Sequence, residues 1–208
     1  YAQRILYQIN EVEALFREGK GARKKFSISV PRATYICEAF TQFAAGIDRS
    51  EAVELFYKET NAVRAIRNIQ DSDYNLGIIR YQTQYDQQFR AMLEEKGLEG
   101  ETVFTFTHVA LLSRDDPLAA KSQICYNDLV DYTEVAHADP YVPSLPMSDV
   151  QKSEYLDGID KRIFVFERAS QFMLLSHVPH TFMWVSPVEE DVLAQHGLVQ
   201  IPCVDEQR

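Results

Sequence analysis

Hydrophobic positions near the start of the chain fall at Ala2, Ile5, Ile9, Val12 and Phe16, spaced three, four, three and four. That rhythm is a heptad seam, the pattern of a helix lying along another helix. Tyr1, Leu6 and Leu15 widen the stripe. Gly19, Lys20 and Gly21 break the helix, and Ala22 to Lys25 forms a basic connector. Two readings of the helix stay open. It packs on its own domain, or it protrudes and pairs with a partner through Ile5, Ile9, Val12 and Phe16. The glycine-flanked connector favours the second. Two heptads are marginal in isolation, so the helix is expected to continue upstream of Tyr1.

Beyond the connector the period changes. Phe26 to Val30 alternates apolar and polar residues, a strand signal. After the turn at Pro31 to Ala33, Thr34 is placed to cap a helix over Tyr35 to Ala45. Its inward positions are Ile36, Ala39, Phe40 and Phe43, and Gly46 is its stop. Val53 to Lys58 reads as a strand. Thr60 is placed to cap a helix with Val63, Ile66 and Ile69 on one face and Arg64 and Arg67 on the other. Tyr74 to Arg80 is a third, mostly apolar strand. This β-α-β-α-β series implies a parallel sheet with right-handed crossovers.

A second series follows. Tyr85 to Lys96 is helical and Gly97 ends it; Thr102 to Phe106 and His108 to Leu112 are apolar. Asp116 and Asn127-Asp128 start short helical turns, and Thr133 to Ala136 is a strand. The segment Asp139 to Asp149 holds three prolines and reads as an irregular loop. Then come a strand (Arg162 to Phe166), a helix (Ser170 to His177), a strand (Thr181 to Val185), a helix (Pro187 to Gln195, with Gly197 at its C-cap) and a last strand (Leu198 to Ile201). The expectation is an α/β chain of two consecutive units. Residues 1–25 form the linker helix and connector, 26–82 with 186–208 form the first lobe, and 83–185 form the second.

Charge divides the chain along the same line. Among 208 residues the net charge is −10. Residues 1–25 carry six basic and three acidic side chains, a net of +3, which leaves −13 for the rest. An acidic body argues against gripping nucleic acid through its own surface, because phosphate binding needs a basic face. It leaves room for a small anion in a locally positive pocket. Cys37, Cys125 and Cys203 are too few and scattered for a disulfide scaffold or zinc cluster. No apolar run approaches a bilayer span. The chain begins at Tyr1 rather than Met, which suits a fragment.

The order of these segments resembles the regulatory part of a LysR-type transcriptional regulator. The heptad helix, the charged connector and "FSISVP" are similar to the end of that family's linker helix and its first effector-domain strand. "VELFYKETNAVRAIRNIQDSDYNLGIIR" is similar to its strand-helix-strand with a "DLGI"-like finish, Asn75 standing where Asp is usual. "VALLSRDDPLAA" followed by "NDLVDYTEV" resembles the opening of its second lobe. The resemblance implies two Rossmann-like lobes of the type-2 periplasmic-binding-protein kind, joined by two crossovers. A small effector between them would shift the lobe and subunit arrangement. It also implies a cytoplasmic bacterial homo-oligomer, a dimer or, in full length, a tetramer, with no cofactor. DNA would be bound by an N-terminal helix-turn-helix domain absent from this sequence.

Candidate effector contacts follow from strand C-termini and helix N-termini, where backbone N–H groups face an anion. The first-strand loop offers Arg32, Ala33 and Thr34, with Arg32 suited to a bidentate carboxylate fork. The second-strand loop offers Thr60 and Asn61. The first crossover holds Arg80, Tyr81 and Gln82, and an arginine at a buried strand end needs a partner. Asp139, Arg168, Ser170, Trp184 and Val185 are the contacts expected from the second lobe. The plain alternatives are that Thr34 and Thr60 only cap helices, that Arg32 is solvated, and that Trp184 is core. His177 and His180 are separated by Pro179, which spoils helical metal spacing, and no nucleophile or phosphate-loop motif is present. The chain therefore reads as a sensor and not an enzyme. The alternative is an extracytoplasmic solute-binding protein of the same fold.

Overall fold

A computed structural model describes residues 24–48, 52–71, 74–138 and 158–205, together with Ile5, Leu6, Ile9, Val142, Pro143, Leu145, Pro146 and Val150. Val12, Phe16 and Asp139 lie outside the described residues. The chain divides into two compact units, the first made of Tyr1–Gln82 with Glu99–Phe104, the second of Thr83–Leu98 with Thr105–Arg208.

The first unit carries β1 (Lys24–Val30), α1 (Thr34–Gly46), β2 (Val53–Glu59), α2 (Ala62–Asp71) and β3 (Leu76–Gly77). The strands pair in parallel in the order β2-β1-β3, with Ile28 opposite both Tyr57 and Leu76. Successive strand side chains point to opposite faces, and β1 uses both. Phe26, Ile28 and Val30 enter a core with Tyr35, Ile36, Ala39 and Phe43 of α1. Ser27 and Ser29 turn the other way and are also buried, because α2 covers them: Asn68 Nδ2 donates to Ser29 Oγ at 2.8 Å. Gly77 suits this close packing, since a Cβ there would stand 3.0 Å from Ile69 Cγ1 of α2 and that side chain would have to shift. The third strand is much shorter than the apolar run Tyr74 to Arg80 suggested.

Ile5 and Ile9 are helical and belong to the same core, 2% and 0% exposed. These two side chains pack on their own unit, the first of the two readings of the opening helix.

The second unit opens with α3 (Asp86–Glu95), stopped at Gly97 with φ +64°. It continues with β4 (Val109–Ser113), β5 (Thr133–His137), β6 (Lys161–Val165), α4 (Arg168–His177), β7 (Thr181–Val185), α5 (Glu190–His196) and β8 (Leu198–Pro202). The sheet order is β6-β5-β7-β4-β8. β5 runs parallel to β6 and β7, whereas β4 is antiparallel to β7 and β8. One face packs Leu111, Val135, Val165, Met183 and Leu198 with Leu175 of α4 and Leu193 of α5. The other packs Ala110, Leu112, Phe182 and Ile201 against Leu118, Ile124 and Leu129. These last lie on or beside two 3₁₀ turns, Pro117–Ala120 and Tyr126–Leu129.

Two expected boundaries are corrected here. Leu198–Pro202 does not return to the first lobe; it pairs with β4 from Ser113–Leu198 to Val109–Pro202. The left-handed Gly197 (φ +66°) turns the chain sharply after α5. Gln200 then locks the return, donating to Val188 O at 3.0 Å and accepting from Val188 N at 2.8 Å. Conversely, Glu99–Phe104 joins the first unit rather than the second. Phe104 stands edge-on to Tyr35, ring centroids 5.1 Å apart, and the apolar stretch there packs without forming a strand. Among the described residues no helix is long and apolar enough to cross a membrane.

Candidate functional site

In the first unit the parallel strands bring three loops to one sheet edge. β1 ends at Val30, β2 at Glu59 and β3 at Gly77, and backbone bonds hold the ends together. Thr60 N donates to Val30 O at 2.8 Å and Ile78 N to Ser29 O at 2.8 Å. Arg32, Ala33 and Thr34 therefore lie beside Thr60 and Asn61, with Arg80 following from β3.

The helix starts differ from expectation by one residue each. Ala33, not Thr34, is the N-cap of α1, and it has no side chain to offer the first-turn N–H groups. Asn61, not Thr60, caps α2, its Oδ1 accepting from Arg64 N at 3.0 Å. Thr60 is thereby released from the capping role. It is 5% exposed, and its hydroxyl has no hydrogen-bond partner among the described residues. The hydroxyl is not among the fully enclosed unpartnered atoms, so it keeps access to solvent.

Tyr35 in the first turn of α1 and Arg80 complete the edge. Burial raises the Tyr35 phenol above its ordinary range, and the nearby Arg80 charge pulls it back down. Arg80 was anticipated as an arginine in need of a partner; Tyr35 was read only as a helix start. Its position directly after the Arg-Ala-Thr turn was the available signal. Tyr81 and Gln82 follow as half-buried residues in the extended segment that closes the unit.

In the second unit β6 and β5 end side by side at Val165 and His137, with His137 Nδ1 3.3 Å from Val165 O; β7 pairs with β5 only at Thr181 and Phe182 and ends at Val185. Arg168 and Ser170 open α4 at this edge. Trp184 lies on the core face of β7, edge-on to Phe182 (5.6 Å) and Tyr126 (6.1 Å). Its Nε1 is enclosed without a hydrogen-bond partner. Val185 points to the opposite face, in the core with Leu193. Gln171 and Ser186, which the sequence did not single out, are buried polar residues at the same strand edge.

Elsewhere in this unit the polar groups are structural. Asp116 Oδ1 accepts from Tyr132 OH at 2.7 Å and from Leu118 N at 2.9 Å. Burial, with the carboxylate beside it, pushes the Tyr132 phenol far up. Among the described residues no three His, Cys, Asp or Glu side chains group to hold a metal.

No family model matches this sequence, and no curated protein matches it. Solved structures do. The fold is that of LysR-regulator effector-binding domains, the two-lobed periplasmic-binding-protein-like fold. The chain is similar to the effector-binding domain of QuiR in complex with shikimate, with a TM-score of 0.59 and 12% identity over 90% of this chain and 84% of that one. It is similar to HinK, a LysR family transcriptional regulator from Pseudomonas aeruginosa (TM-score 0.54, 12% identity, 98% of this chain and 67% of that one). It is similar also to the reduced form of OxyR (TM-score 0.54, 11% identity, 88% and 82%). At these identities the likeness is one of fold.

Proposed function

We propose that this chain is the ligand-sensing regulatory domain of a bacterial LysR-type transcription regulator, working in the cytoplasm as a homo-oligomer and without catalytic chemistry. A small molecule bound at the strand-end loops would favour one conformation of the domain. It would thereby alter how a DNA-binding domain elsewhere in the full protein engages its operator. A ligand shifts such an equilibrium only by its differential affinity for the two states.

The observation that supports this reading is Thr60. It is largely buried and caps no helix, at a sheet edge that also carries the uncapped start of α1, Arg32 and Arg80. A threonine hydroxyl at a strand end that is not used as a helix cap can donate to a ligand there. The cationic side chains point to an anionic ligand, and QuiR's shikimate is a carboxylate.

A thermal-shift screen over small carboxylates, shikimate included, tests the reading, because a ligand that binds only the folded state raises the melting temperature. At least one member is expected to do so. Thr60→Val is expected to weaken that ligand by roughly tenfold while leaving the unliganded melting temperature level or slightly higher. A flat screen, or full affinity in Thr60→Val, counts against it.

A further inference from the structure

The helix that follows β2 does not lie over β2. α2 packs chiefly on β1 and β3. Asn68 Nδ2 donates to Ser29 Oγ of β1, and Ile69 lies against Gly77 of β3. Successive strand residues face opposite sides. Lys25, Ser27 and Ser29 of β1 therefore share the α2 face with their register partners Glu54, Phe56 and Lys58 of β2. Ser27 and Ser29 are buried beneath the helix. Phe56 lies one strand further out, on the edge strand of the sheet, and is 43% exposed.

The surroundings of Phe56 are positive. Lys25 Nζ stands 5.1 Å from the centre of the Phe56 ring, and Lys58 Nζ 5.7 Å from the centre of the Tyr74 ring. Both lysines are exposed. Asn68 meets β1 and Ile69 meets β3, so Arg67, about 100° around the helix on the other side of Asn68, turns toward β2. Arg64, three residues earlier, shares that side. Both arginines are exposed. Among the described residues the acids on this strip are Glu54 and Asp71, fewer than the cations. The excess is local. The twelve basic and twelve acidic residues of the first unit balance, and the net −10 belongs to the second. An exposed ammonium over a ring is held weakly, and its stem shields apolar surface from water. A carboxylate can draw Lys25 aside and leave the Phe56 ring to an apolar neighbour.

We propose that this uncovered strip, Phe56 with Lys25, Lys58, Arg64 and Arg67, docks an acidic segment of another protein. Carboxylates of the segment meet the cations, and an apolar side chain beside them covers the Phe56 ring. Charge complementarity selects this occupant. A nucleic acid would meet repulsion from Glu54, Asp71 and the acidic second unit. A neutral apolar segment would leave the cations beside a hydrophobic contact without counter-charges. Phe56 lies four residues before Thr60, about 13 Å back along β2. The strip is therefore separate from the strand-end loops, and the proposal stands apart from the sensor reading.

The test titrates the ¹⁵N-labelled chain with a short synthetic peptide of alternating glutamate and leucine, with its glutamine counterpart, and with a short DNA duplex. The glutamate peptide is expected to shift the backbone amides of Lys25, Phe56, Lys58 and residues 64–67. Its binding should weaken as salt is raised. Lys25→Gln combined with Lys58→Gln is expected to weaken it by roughly tenfold. Phe56→Ser is expected to do the same, by roughly tenfold, through loss of the apolar anchor. These side chains are exposed, so the melting temperatures should stay near that of the parent, which separates lost docking from lost fold. The proposal is overturned if the glutamine peptide binds as tightly, if the shifts fall elsewhere, or if the double lysine variant keeps full affinity. Tighter binding of the duplex than of the peptide overturns it as well. So does a shift of the same amides when the chain alone is concentrated into a dimer, which would give the strip to a second copy.

Discussion

In the first unit each strand is joined to the next by a single helix, and the three strands pair in the order β2-β1-β3 without a reversal of direction. In the second unit β4 sits between β7 and β8, which follow it by some seventy and ninety residues, and runs against both. The small sheet is therefore organised by local crossovers and the large one by long-range pairing. Loop-closure entropy must be met before such distant contacts contribute, so the large sheet depends more on its apolar core. Phe182 tests that dependence most severely. It is fully buried, packs with Leu112, Ile201 and Leu129, and stands edge-on to Trp184. Phe182→Ala is expected to cost about 3–5 kcal/mol. Hydrogen exchange should rise across β4, β5 and β7 together while β1 and β2 keep their protection. Exchange that rises in β7 alone would mean the five strands do not open as one.

Two helices, one from each unit, also differ in how they begin. α2 in the first is capped by Asn61, whereas α4 in the second has no side-chain cap. Asn61→Ala is expected to destabilise the first unit by about 1 kcal/mol, seen as faster exchange in the first turn of α2. Glu167→Ala, the matching change at α4, should alter stability little. Equal losses at the two positions would erase the contrast between the two helix starts.

This contrast explains what the sequence could and could not disclose. The first unit was readable because its strand and helix periods alternate along the chain, which implies a parallel sheet with right-handed crossovers; the strand order β2-β1-β3 was not. Its helix starts were misjudged by one residue, since Thr34, Thr60 and Asn61 all have capping chemistry and only the backbone geometry selects among them. In the second unit the strand at Leu198 was visible as a strand, but its sheet was not. Local pattern says that Leu198 and Ile201 want burial, not that β4 provides it. Phe104 misled in the opposite sense, assigned to the second lobe although it packs on Tyr35 of the first unit. At the site, Arg32, Thr34, Thr60 and Asn61 were found because they follow strands. Gln171 and Ser186 were not, because a polar residue gives no periodic sign that it is buried.

The smallest expected effect concerns the 3₁₀ turn that helps cover the large sheet, a device with no counterpart among the described residues of the first unit. Asp128 accepts from Lys121 Nζ at 2.7 Å and from Cys125 N at 3.0 Å. The lysine bond first, then the backbone bond, holds its carboxyl below the ordinary range. A depressed carboxylate stabilises the folded state above its unfolded value of about 4. That contribution is lost as pH falls through the lower folded value. Both partners are partly exposed, so salt screens the pair and the gain stays small. Asp128→Asn keeps an oxygen for Cys125 N and removes the charge. The variant should melt slightly below the parent at neutral pH, and the gap should close as the pH is taken below about 4. High salt should narrow it at neutral pH too. A gap that persists unchanged at low pH would make the turn's stability a matter of shape and capping alone. The second sheet would then rely on packing as fully as the first.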